Sequence, residues 1–120
     1  MRKISSLDEL NIPEQHRAFL ETFMRNSKSD KKIGNVVLFG SCARGVATAK
    51  SDVDIAVLGE NMTDDDYIRI CDYLPEYRAK EYVECDMLTI SYSDYNKFID
   101  TVGYVQRHIE REGIDISGVV

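Results

Sequence analysis

The sequence predicts an α+β fold, a small mixed β-sheet with helices packed on one face. Three observations predict it. Apolar residues at helical spacing alternate along the chain with apolar runs of strand length. No repeat, low-complexity tract or Pro/Gly-rich linker interrupts the 120 residues. A chain of that length holds one core and no second one, so residues 1–120 are expected to form a single domain.

Each element has its own signal. Residues 13–26 begin with Pro13, suited to a first helical position, after Asn11 as a cap. His16, Phe19, Leu20, Phe23 and Met24 follow at helical spacing, and His16 reads as a packed core histidine. Residues 26–32 are polar and read as a loop. Val36 to Phe39 is a short apolar strand, and Gly40 to Arg44 has room for a turn or two of helix. Ser51 to Leu58 is the second strand, with Lys50 and Ser51 as turn residues before its aspartates.

Thr63-Asp64-Asp65-Asp66 resembles a capping box whose acids suit the positive end of a helix. Tyr67, Ile70, Cys71 and Leu74 supply that helix's buried stripe, and Pro75 ends it. Tyr82 to Ile90 is the third strand, with Glu84 and Asp86 on one face. Ser93 is expected to cap one long final helix. Tyr95, Phe98, Ile99, Val102, Val105 and Ile109 are its core positions and Gly113 its stop.

Composition narrows the function. Hydrophobic content of 43% and charged content of 30% are those of an ordinary globular protein. A formal charge of −6, with no Lys/Arg cluster, argues against direct nucleic-acid binding. Cys42, Cys71 and Cys85 are odd in number and share no CxxC pair, which fits reduced thiols rather than a disulfide framework or zinc site. No segment approaches the roughly 18 apolar residues of a membrane span. A cytoplasmic location is expected. Cys42 alone sits in a loop where oxidation would matter.

The chemistry concentrates at residues 36–58. An apolar strand enters Gly40-Ser41, and after ten intervening residues Asp52 and Asp54 stand one residue apart. Alternation along a strand puts both carboxylates on one face and Val53, Ile55 and Val57 on the other. Like charges so close are unfavourable unless a cation lies between them. Carboxylate oxygens suit magnesium, which commonly shares its shell with substrate phosphates. Asp86, from the neighbouring strand, would complete a three-carboxylate site. Backbone N–H groups at Gly40 and Ser41, with the Ser41 hydroxyl, suit terminal phosphates.

These residues carry a resemblance. Gly40-Ser41, the ten-residue spacing, Asp52-x-Asp54, and the inner Ala43-Arg44-Gly45 and Ser51-Asp52 look like the signature of the minimal nucleotidyltransferase family. That family is a branch of the DNA polymerase β-like nucleotidyltransferase superfamily. The motif resemblance covers about residues 33 to 90, and the remainder matches only in the order of elements. It implies a polymerase β-like core in which Gly40 and Ser41 bind nucleotide phosphates. Asp52 and Asp54 would bind the catalytic magnesium ions, with Asp86 as the third acid. Arg44 matches the family's arginine, which either touches phosphate or braces the loop.

Short members of the family resemble antitoxins paired with a helical HEPN-domain ribonuclease toxin. The implied activity is transfer of AMP from ATP to a tyrosine of that toxin. ATP enters through the resemblance alone, since no residue reads a purine edge. Two other functions stay open: neutralisation of a toxin by occlusive binding, and transfer to a small molecule in a pocket built by homodimerisation. The acceptor, the number of nucleotides transferred and the oligomeric state, homo- or hetero-oligomeric, are not readable from the residues.

Overall fold

The computed structural model describes residues 1–119; Val120, the last residue of the expected domain, lies outside them. In chain order the elements are β1 (Arg2–Lys3), a 3₁₀ turn (Leu7–Glu9), α1 (Glu14–Ser27), β2 (Asn35–Phe39), α2 (Gly40–Arg44), β3 (Val53–Gly59), α3 (Asp64–Cys71), β4 (Cys85–Ser91), α4 (Tyr92–Phe98), α5 (Val105–Glu112) and β5 (Ile114–Asp115). The sheet order is β1-β5-β2-β3-β4. β2 runs antiparallel to both β3 and β5, while β3–β4 and β1–β5 are parallel. The architecture is a compact α+β fold around a mixed sheet.

Strand alternation divides the core in two. Val36, Leu38, Val53, Ile55 and Val57 face the larger cluster, with Phe19, Leu20 and Phe23 of α1 and Ile70 of α3. Val37, Ala56, Leu58 and Ile90 face the other way, against Tyr95 of α4 and Ile109 of α5. Helices therefore cover both faces rather than one. The reason is in the strands: β2 and β3 are apolar at successive positions, and such strands need a cover on each side.

Local signals account for most boundaries. Pro13 precedes the first residue of α1, but Asn11 is not its cap. The Asn11 amide donates instead to the Gly45 carbonyl at 3.2 Å. The Thr63 capping box forms as expected: Thr63 Oγ1 accepts from the Asp66 N–H at 3.2 Å, and Asp66 Oδ2 accepts from the Thr63 N–H at 2.8 Å. Asp66 is buried and also takes Lys32 Nζ and Arg69 Nη1, each at 2.6 Å. Of the α3 stripe, Ile70 is fully buried while Tyr67 is exposed. β3 and β4 start two and three residues later than expected, at Val53 and Cys85, and each runs one residue further.

The expected long final helix is two helices. Gly103 has φ +90°, a left-handed conformation that a helix interior excludes, and the chain turns there. Ser91, not Ser93, precedes the first of the pair. Val102, expected in the core, is 78% exposed. Gly113 does end α5, its N–H donating to the Ile109 carbonyl at 2.8 Å. β1 and β5, each two residues long, carry no periodicity and could not be read from the sequence.

Candidate active site

The site lies where β2 ends and β3 and β4 begin. β2 delivers Phe39 opposite Asp54 on β3, and the chain then turns at Gly40 into α2. Gly40 has φ +71°, and a Cβ built there would collide with the Asp54 carboxylate. Glycine is required twice over, by backbone conformation and by the closeness of the acid. On the other side, parallel pairing puts Asp86 in register with Asp54. Alternation places both on the α4–α5 face, beyond the end of that core cluster.

Asp52 stands one residue ahead of β3, so no sheet ladder sets its backbone. Side chains from beneath and an adjacent turn hold it instead. The buried His16 ring donates its Nε2–H to the Ser51 carbonyl at 2.7 Å. The Cys42 thiol lies 3.6 Å from the Asp52 carbonyl, and the Val53 N–H donates to the Glu84 carbonyl at 2.9 Å. Ser51 Oγ accepts from the Thr48 N–H at 2.8 Å, so Ser51 is a turn residue, as expected. Glu84 is exposed, contributing its carbonyl rather than its carboxylate.

The electrostatics follow from this crowding. The Asp54 carboxyl is pushed above its usual range by burial, then by the charges of Asp86 and Asp52, against a smaller opposing pull from Arg44. Burial, with the Asp54 charge, pushes the Cys42 thiol up to about 11. Cys42 is therefore a protonated core residue, and its expected sensitivity to oxidation does not hold.

A cleft of about 460 Å³ opens here, lined by Gly40, Ser41, Arg44, Asp52, Asp54 and a face of α5. Asp86 stands exposed on the strand beside it. The α5 residues Val105, His108 and Glu112 share one helical face by their spacing. His108 is exposed and borders the cleft.

Glu112 went unnoticed in the sequence. Its Oε1 accepts from the Gly40 N–H at 3.2 Å and from Arg44 Nη1 at 3.2 Å, with Oε2 3.3 Å from the same nitrogen. Arg44 thus pairs with an acid of α5. Only the spacing of Val105, His108 and Glu112 hinted at this, and Val105 was expected in the core of an unbroken final helix.

Among the described residues, no three His, Cys, Asp or Glu side chains close into a ready-made cation cage. The carboxylates form an open cluster, and magnesium commonly takes one or two protein carboxylates with the rest of its shell from water and phosphate. Hard oxygen donors and an Asp54 burdened by like charge fit a divalent cation. Among the described residues no helix is long and apolar enough to cross a membrane.

No curated protein matches the chain as a relative. The sequence pattern of the nucleotidyltransferase domain does match, over residues 17–113, a span that includes every residue of the cleft. Nucleotidyltransferases of this superfamily generally use divalent metal ions. With a Gly-Ser turn, a pair of aspartates and their register partner on one mixed sheet, the chain belongs to the nucleotidyltransferase domain family and is a transferase of nucleotidyl groups.

Proposed function

We propose that the chain is a minimal nucleotidyltransferase that moves AMP from ATP to a tyrosine hydroxyl of a HEPN-domain toxin, and so acts as that toxin's antitoxin. The observation that carries the reading is the position of Asp54, between its register partner Asp86 and the Gly40 turn. A cleft with anion donors on one wall and carboxylates on the next suits a nucleotide triphosphate with its cation.

The roles follow from the chemistry. Backbone N–H groups of Gly40 and Ser41, the Ser41 hydroxyl and the Arg44 guanidinium hold phosphate oxygens. Asp52, Asp54 and Asp86 would hold magnesium, which when bound supplies charge neutralisation to the triphosphate. The fold keeps these groups aligned, and alignment is most of what phosphoryl and nucleotidyl transfer asks of a protein. The acceptor oxygen bonds to the α-phosphorus, the bond to pyrophosphate breaks, and the hydroxyl proton passes to solvent.

An acceptor supplied by a second chain accords with the cleft's open mouth, bordered by the exposed Val105. The test is intact mass of a HEPN-domain partner after incubation with the chain, ATP and magnesium. Gain of adenylyl groups, lost with Asp54→Asn, supports the reading; an unmodified partner defeats it. Protection of toxin-expressing cells by Asp54→Asn as effective as by the wild type would establish occlusion instead.

A further inference from the structure

We propose that Glu112 sets the affinity for nucleotide by holding the donors that a phosphate must take over. The inference rests on the nucleotidyl-transfer reading of the cleft. Two of its anion donors, the Gly40 N–H and the Arg44 guanidinium, both point at one carboxylate. Glu112 Oε1 is 3.2 Å from each, and Oε2 is 3.3 Å from Arg44 Nη1. A carboxylate oxygen and a phosphate oxygen are the same kind of acceptor. The single N–H of Gly40 does not serve both at full strength, so an arriving phosphate displaces Glu112 from it.

Geometry and charge make Glu112 suited to this exchange. It is the last residue of α5, one side of which borders the cleft, and its side chain is 27% exposed, so it can swing outward. Arg44 is half exposed, and an ion pair so open to water adds little to the fold. The Glu112 charge also adds to the negative potential at Asp54, in a cleft that must admit a polyanion. The contact therefore orients Arg44 and the Gly40 peptide for an anion while opposing the anion's entry. Glu112 is a positioning residue that trades affinity for preorganisation.

The experiment is calorimetric titration of the full chain with magnesium and a nonhydrolysable ATP analogue. Glu112→Gln keeps the shape and an acceptor oxygen but removes the charge. It should bind about three- to tenfold more tightly than wild type, since charge-assisted hydrogen bonds are roughly twice as strong as neutral ones. The gain should shrink in Arg44→Gln/Glu112→Gln compared with Arg44→Gln alone, since only the Gly40 N–H is then left to release, a dependence that a merely structural role would not produce. Wild-type binding with no tightening in Glu112→Gln overturns the role of Glu112 and leaves the nucleotidyl-transfer reading intact. Absence of binding in every variant, wild type included, overturns both. Should Glu112→Gln fail to fold, Glu112→Met, matched in length and uncharged, is read by the same criterion.

Discussion

The Nε2–H of His16 donates to the carbonyl of Ser51 at 2.7 Å, tying a helix packed against the sheet to the peptide just before Asp52. His16 is 1% exposed, and its Nδ1 has no partner among the described residues. Because a carbonyl oxygen only accepts, the ring hydrogen that makes this bond is on Nε2. Because Asp52 lies outside the strand ladder, this bond is one of the few constraints on where its carboxylate stands.

His16→Leu removes that donor and leaves a partly buried carbonyl short of a partner. Stability should fall by about 1–3 kcal/mol. His16→Gln, whose amide can donate in place of Nε2, should recover part of the loss. Urea denaturation of the three proteins gives the ranking. Equal stability of the leucine and glutamine variants would show that the ring acts only by filling space.

Asp54→Asn separates function from stability. The folded-state carboxyl titrates above its ordinary value of 3.8, so the unfolded chain ionises first as pH rises. The wild type therefore loses stability between pH 3.8 and the higher folded value, and the loss persists at neutral pH. In magnesium-free buffer the asparagine variant should match the wild type well below pH 3.8 and be the more stable at pH 7. Nucleotidyl transfer should be abolished. Thermal melts at the two pH values, beside a transfer assay, provide the check.

Asp66 has the opposite sign. Lys32 first, then Arg69, hold its carboxyl far below the usual carboxylate range. Its contribution is present above the unfolded value of 3.8 and is lost as pH falls below it. Asp66→Asn should lower stability at pH 7, the half-exposed partners reducing the effect of a broken pair. That difference should narrow on acidification. Denaturation midpoints from pH 7 down to pH 3 would reveal a flat dependence, were the pairing immaterial.

Gly40→Ala combines a strained backbone with a collision at the Asp54 carboxylate. A non-glycine residue at that φ costs about 1–3 kcal/mol before the collision is counted. The turn must shift to relieve both, displacing the Gly40 N–H, a donor proposed to hold phosphate, from its place beside the acids. A melting temperature lowered by several degrees with loss of nucleotide binding is expected. Binding that survives at wild-type strength would mean the turn does not hold phosphate.

Much of this molecule is local. Gly40, Asp52 and Asp54 lie within fifteen residues of one another, and the strands that carry them are short apolar runs. Their proximity follows from a turn and the two-residue period of a strand. Likewise the Thr63 cap involves only its own first helical turn. The sequence was misleading where a local signal was outvoted. Helical spacing from Tyr95 to Ile109 continues through Gly103, yet the backbone breaks there and α5 is free to turn a face toward the cleft.

By itself, then, the sequence determined the α+β class, the order of the main elements, the Gly-Ser turn and its neighbouring acids. These depend on periodicity and on contacts a few residues long. Only the tertiary structure decided that helices cover both faces, that Glu112 reaches Arg44 from 68 residues away, and that His16 supports Ser51 across 35. Such pairs leave no periodic trace, because each depends on the direction in which a whole helix packs. A single polar residue on a helix looks the same whether that direction leads to solvent, core or cleft.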